Sequence, residues 1–157
     1  MANEYGYELF SSSICCIYHD IQRIERAQMA KYGLKGPHAQ CLLAMSRNPA
    51  GITAAELCEL CEKDKAAISR TVAELEKAGM ICRIQNNGKR YRASLRLTPQ
   101  GQAAAQAVSK IARQAVEQAS EGYDEGSRET FYSVLAMIAG SLHTICKNGL
   151  QEENQEG

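Results

Sequence analysis

Seven cysteines stand at positions 15, 16, 41, 58, 61, 82 and 146, an odd number and a large one for 157 residues. Cys58-Glu59-Leu60-Cys61 has the spacing of a redox dithiol or of half a zinc site. It falls in a helical pattern with no preceding strand, and no second ligand pair stands at zinc-site spacing. A dithiol oxidoreductase using Cys58 and Cys61 is therefore set below packed, reduced thiols. Cys15 and Cys16 lie on the first expected helix and Cys146 near the end of the last. If those helices share an interface these sulfurs could meet. Of the residues that follow them, only His19 could lower a thiol pKa, so packing is again preferred. His19, His38 and His143 stand alone and read as surface or core residues. There is no glycine-rich phosphate loop, no G-x-S-x-G and no H-E-x-x-H, so neither an enzyme, a cofactor nor a metal is expected.

A second set of residues points to nucleic acid. After Asp64, the residues Lys65, Ala66, Ser69, Arg70 and Ala73 recur on one helical face, opposite Ile68, Val72 and Leu75. Short side chains let a helix backbone approach the floor of a DNA major groove. Arg70 could read a guanine edge, Ser69 a base or phosphate, and Lys65 sits where phosphates would lie. The chain is neutral, with 18 basic and 18 acidic residues, but the charge is segregated. Residues 63–96 hold nine Lys or Arg, among them Arg83, Lys89, Arg90, Arg92 and Arg96, against three acids. The remainder holds nine basic and fifteen acidic residues. Counterion release at the cationic part can drive DNA binding whatever the total charge. The plainer alternatives are a charged sheet edge protected from aggregation, and a hairpin that contacts an acidic protein partner.

These side chains need elements to hold them. Phe10, Ile14, Ile17, Ile21, Ile24 and Met29 recur at near-helical spacing, which predicts a long helix from Glu8 to Lys31. Gly36-Pro37 is a break, and a shorter helix runs from His38 to Ser46 with Cys41, Leu42 and Met45 inward. Thr53-Ala54-Ala55-Glu56 reads as a capping box opening a short helix with Leu57, Leu60 and Cys61 inward. Asp64 caps the next helix, which runs to Ala78 and stops at Gly79. Met80–Ile84 and Tyr91–Leu97 are β-prone and flank Asn87-Gly88, a dipeptide favoured in tight hairpins. Thr98-Pro99 then starts an alanine-rich helix to about Glu121. Arg128–Lys147 forms the last, with Phe131, Val134, Leu135, Ile138, Leu142 and Ile145 on a broad apolar face.

Helix, turn, capped helix and basic hairpin in that order describe a winged helix-turn-helix. The expected class is mostly α with a small β-hairpin wing. Three long apolar stripes lie remote from the reading head and exceed what a small lobe can cover, so a second copy of the chain is the natural cover. The apolar fraction of 45% is too high for a disordered chain, and no run is long enough to span a bilayer. The start Met-Ala-Asn-Glu-Tyr-Gly-Tyr-Glu lacks the pattern of a signal peptide, so a cytoplasmic protein with no membrane partner is expected.

Asp64-Lys65-Ala66-Ala67-Ile68-Ser69-Arg70, Leu75-Glu76-Lys77-Ala78-Gly79-Met80-Ile81, Arg83 and Leu95-Arg96-Leu97-Thr98-Pro99-Gln100-Gly101 together resemble the signature of the MarR family of bacterial transcriptional regulators. The resemblance runs in outline over residues 8–147 and is specific across about 51–101. It implies a homodimeric winged-helix regulator of a pseudo-palindromic operator, often a repressor that releases DNA when a small, commonly aromatic effector binds; because some relatives sense peroxides through a cysteine on the first helix, it also implies, as the alternative, an oxidant sensor using Cys15 and Cys16. It also implies a division into a dimerisation helix (1–36), a DNA-binding lobe (37–98), dimerisation helices (99–148) and a frayed tail (149–157). The residues matching the family's recognition helix are Lys65, Ala66, Ala67, Ser69 and Arg70. The family's wing carries an Asp and, two residues on, an Arg that enters the minor groove. Those places here hold Lys89 and Tyr91, with Arg90 and Arg92 each one residue off and so on the opposite face of the ribbon. Either the turn is rearranged and an arginine substitutes, or the wing meets phosphates only.

Overall fold

A computed structural model describes residues 2–84 and 94–149, with side chains from Gly6 onward. Its order is α1 (Ala2–Ala30), α2 (Gly36–Ser46), α3 (Ala54–Cys61), α4 (Lys65–Lys77), β1 (Ile81–Ile84), β2 (Ser94–Leu97), α5 (Pro99–Ala119) and α6 (Glu125–Asn148). The chain falls into two compact units, Met1–Ala115 and Val116–Gly157. The mostly helical class with a two-stranded antiparallel hairpin is as expected. The hairpin's turn, with Asn87-Gly88, lies outside the described residues.

Local chemistry sets the boundaries. Gly36-Pro37, read above as a break, is the first turn of α2, where proline's fixed φ fits and its missing N–H costs nothing. The Thr53–Glu56 capping box forms as expected: the Glu56 N–H donates to Thr53 Oγ1 at 3.2 Å, and the Thr53 N–H donates to Glu56 Oε2 at 2.8 Å. Asp64 Oδ1 accepts from the Ala67 N–H at 2.8 Å and so caps α4. Gly79 ends that helix with φ +70°, a conformation glycine adopts without penalty. The last helix begins three residues earlier than its apolar periodicity suggests, because Asp124 caps it through the Ser127 N–H at 3.0 Å.

The first unit has one continuous core. Met29 from α1, Leu42 and Met45 from α2, Leu57 from α3, Ile68, Val72 and Leu75 from α4, Leu95 from β2, and Val108 from α5 are all buried in it. The expected inward set of α3 needs one correction. Leu57 is fully buried and Cys61 half-buried, but Leu60 is 59% exposed, because the covered side of α3 runs through Leu57, Cys58 and Cys61 and leaves Leu60 on the outer flank. On α1 only the C-terminal part of the stripe is covered: Met29 is buried and Ile21 and Ile24 half-buried, whereas Phe10, Ile14 and Ile17 are exposed.

Register in the hairpin pairs Ile81 with Leu97, Cys82 with Arg96, Arg83 with Leu95 and Ile84 with Ser94. Leu95 is buried and Arg96 exposed, as the alternation in sequence predicts. A third strand-like pairing anchors the sheet: the N–H groups of Ile52 and Leu95 each donate to the other's carbonyl, at 3.0 and 2.8 Å. Gly51, at φ +107°, makes that approach possible, since a Cβ there would collide with the Ser94 hydroxyl. In the second unit, α6 has no buried residue, and Phe131, Tyr132, Val134, Met137, Leu142 and Ile145 are all exposed.

Candidate nucleic-acid interface

On α4 the inward residues Ile68, Thr71, Val72 and Leu75 are buried, which leaves Lys65, Ala66, Ser69, Arg70 and Ala73 exposed and Ala67 half-buried. The stripe expected from sequence is thus an open surface of small and cationic side chains. It starts at a helix N-terminus whose partial positive charge also favours phosphate. Asp64 at that end is committed to capping: the Ala67 N–H above all, then that of Ala66, holds its carboxyl below the ordinary aspartate range.

Two cations beside α4 are already engaged. Arg83 on β1 grips Glu76 with two bonds, Nε to Oε1 at 2.7 Å and a terminal guanidinium nitrogen to Oε2 at 2.9 Å. This raises the Arg83 pKa further and ties the hairpin's root to the last turn of α4. Arg83, still exposed, is thus held in an ion pair at the root of the hairpin. Arg96 donates from Nε to the Ala50 carbonyl at 2.9 Å and remains exposed. Lys89, Arg90 and Arg92 lie outside the described residues.

His38, one of the three histidines expected at the surface or in the core, is a core residue whose partners the sequence did not reveal. It is 4% exposed, and its Nδ1 accepts the Lys35 N–H at 2.9 Å, filling the cap role that glutamate has in α3. Nε2 must then carry the proton, which it donates to Glu74 Oε2 at 2.8 Å. Lys35 Nζ stands 3.6 Å from the other carboxylate oxygen. The His38 bond first, then the Lys35 charge, lowers the Glu74 pKa. The signal was present in outline: His38 stands three residues after Lys35, the place from which a side chain reaches back to the cap.

Among the cysteines, 15, 16, 82 and 146 are exposed, 58 and 61 half-buried and 41 buried. Cys61 lies against Cys41, with 3.9 Å between sulfurs. Among the described residues no group of His, Cys, Asp and Glu is arranged to hold a metal, and no helix is long and apolar enough to cross a membrane. A cavity of about 470 Å³ opens between α1, α2 and α3, lined among others by Tyr18, Glu25, Gln40, Leu43 and Arg47.

A buried-core helix pair presenting an open α4, followed by a hairpin rooted on its end, defines a winged helix-turn-helix protein. Residues 32–90 match the model of the MarR family. Solved structures share the fold along nearly the whole chain. A MarR-family transcription regulator is 20% identical with a TM-score of 0.77, the match covering 94% of this chain and 96% of the other. A MarR-family regulator from Listeria monocytogenes, solved with a 26mer DNA, is 20% identical with a TM-score of 0.76, covering 90% and 96%. One from Methanosarcina mazei is 22% identical with a TM-score of 0.73, covering 87% and 99%. No curated protein sequence matches.

Proposed function

We propose that the protein is a homodimeric, cytoplasmic transcriptional regulator that binds a pseudo-palindromic operator, acting as a ligand-responsive repressor. The exposed stripe Lys65, Ala66, Ser69 and Arg70 carries this reading, since it combines close approach with cations and contains no acid. In that role α4 enters the major groove, Ala67 packs at its edge, and Lys89, Arg90 and Arg92 of the wing meet the flanking backbone. The DNA-bound relative from Listeria supports the same use of the fold.

Dimerisation is favoured by the uncovered apolar residues on α1 and on α6, considered separately. Residues 1–36 and 99–148 are assigned to it, and 37–98 to DNA. Two reading heads on a twofold axis would meet half-sites about 34 Å apart. For an effector, in our reading a small aromatic compound, the candidate site is the cavity of about 470 Å³, whose volume is within the size range of ligand sites. It need only prefer a conformation that misfits the operator.

Sedimentation at micromolar concentration, together with fluorescence anisotropy on duplexes from the region upstream of the protein's own coding sequence, tests the proposal. A dimer that prefers one such duplex over a scrambled one supports it. A monomer that binds all duplexes equally, or none, overturns it.

A further inference from the structure

Cys41 lies in the middle of α2 and Cys61 is the last residue of α3, twenty positions apart in sequence but with sulfurs at 3.9 Å. Their surroundings differ. Cys41 is wholly enclosed in the core, whereas Cys61 is half-buried and lines the cavity of about 470 Å³ beside Leu43, Arg47 and Lys63. One sulfur can be reached from solvent, and the other can be reached only from the first. We propose that Cys41 and Cys61 form a hydroperoxide-responsive thiol pair, in which Cys61 is the attacking sulfur and Cys41 the resolving one. The product is a disulfide joining α2 to the end of α3.

The electrostatics run the same way. The hydrogen bond between the two sulfurs first of all, and then the Lys63 charge, lower the Cys61 pKa against the opposing effect of burial. That same bond, then burial, then the charge on Cys61 push the Cys41 thiol up. The sulfur that faces the cavity also feels the Lys63 charge, which favours a thiolate there. In the first step the Cys61 thiolate attacks one peroxide oxygen. An S–O bond forms, the O–O bond breaks, and the departing oxygen takes a proton to leave as water or an alcohol. In the second step the Cys41 sulfur attacks Cys61: the S–S bond forms, the S–O bond breaks, and hydroxide leaves with the Cys41 proton as water. Two thiols lose two electrons in all, and one hydroperoxide is reduced.

The closure is short but consequential. The sulfurs must approach to about 2.05 Å. Cys61 is followed by Glu62 in the left-handed region at φ 49°, then Lys63, then Asp64, the cap of α4. Drawing the end of α3 toward α2 therefore pulls on the start of the proposed reading helix. This regulatory consequence rests on the DNA-binding reading; the thiol chemistry does not.

The reduced full-length protein, treated with hydrogen peroxide and mapped by mass spectrometry without reduction, tests the pair. The dominant cross-link should join the peptides carrying Cys41 and Cys61, vanish with dithiothreitol, and persist in Cys58→Ser and in Cys15→Ser/Cys16→Ser. Cys41→Ala should halt at a sulfenic acid on Cys61 that dimedone traps, and Cys61→Ser should leave Cys41 unoxidised. A dominant Cys58–Cys61 or Cys15–Cys16 link, or Cys41 oxidised equally in Cys61→Ser, overturns the pair. If the reduced protein binds its upstream duplex, oxidation should weaken that binding about tenfold in wild type and leave it unchanged in Cys61→Ser. Full cross-linking with unchanged affinity overturns the coupling alone, and reduced protein that binds no duplex refutes the DNA-binding reading while the cross-link map still decides the pair.

Discussion

Replacing Gly101 by alanine sets two effects of opposite sign against each other. Gly101 lies in the first turn of α5, and alanine is the better helix former by about 1 kcal/mol. Helix propensity alone predicts stabilisation. A Cβ at this position, however, would run into the Met80 carbonyl oxygen and come within 2.9 Å of its carbon. These are backbone atoms and cannot rotate away. That same oxygen accepts the Thr98 N–H at 2.9 Å, while the Thr98 hydroxyl donates to the Gly79 carbonyl at 2.6 Å and accepts the Gly101 N–H at 3.1 Å. Relieving the overlap means separating the start of α5 from the start of β1. Overpacking of this kind costs about 1–3 kcal/mol, and each hydrogen bond broken about 1 kcal/mol more. The clash wins, and the net expectation is a destabilisation of about 2–4 kcal/mol.

Urea unfolding at one fixed protein concentration measures this, because self-association, where it occurs, makes stability depend on concentration. The midpoint should fall by about 1–2 M for Gly101→Ala. Gln102→Ala, on the exposed neighbouring position, should stay within about 0.5 kcal/mol of wild type. A Gly101→Ala protein as stable as wild type, or more so, refutes the claim that the close backbone crossing fixes the hairpin's root.

Four further outcomes are expected. Arg70→Ala should weaken specific binding by about 1–3 kcal/mol and relax base preference at one operator position, measured by anisotropy across a set of single-base variants. Arg90→Ala should weaken binding to every sequence and reduce the salt slope by about one unit for each phosphate the side chain no longer neutralises. Glu76→Gln releases Arg83 from its carboxylate and should steepen that slope; an unchanged slope means that Arg83 stays away from phosphate. Glu74 is held below the ordinary glutamate value of 4.5, so the folded state keeps its carboxylate charged to lower pH than the unfolded chain does. Its contribution is complete above that value and disappears as pH falls through the lower folded one, so the thermal midpoints of wild type and Glu74→Gln should converge on acidification.

Features set by neighbours in sequence were legible from sequence. The Thr53 box, the Asp64 cap, the Gly79 stop and the Leu95–Arg96 alternation each depend on residues within a turn or a strand pair, and each is found. The features that escaped depend on distant partners. Cys41 is twenty residues from Cys61, and His38 is thirty-six from Glu74. No periodicity marks either meeting, because only the packing of α2 against α3 and α4 creates it. Cys58-x-x-Cys61, set aside as a dithiol, shows the converse: a spacing that suggests a pair carries no information about a third sulfur brought in from another helix. Leu60 failed as a core residue because apolar character alone does not say which side of a two-turn helix meets the core.

The pairing of acids explains how a neutral chain can present a cationic face. Residues 63–96 contain only Asp64, Glu74 and Glu76 as acids, and each has a partner: the amide ends of α4, His38 with Lys35, and Arg83. Glu74 and Glu76 belong to the last turns of α4 and flank the exposed stripe, so their charge is partly met by side chains that anchor α4 to α2 and to β1. Lys65 and Arg70, in the first two turns, make no ion pair among the described residues. A carboxylate placed near that surface would repel phosphate. Carboxylates that double as fasteners, by contrast, hold the helix in position while their negative charge is met by protein cations. Reversing one of these assignments, as Glu76→Gln does, therefore changes both the anchoring of α4 and the charge that DNA would meet, and the two effects separate by salt: the phosphate contribution falls steeply with ionic strength, whereas the packing that places α4 on the core does not.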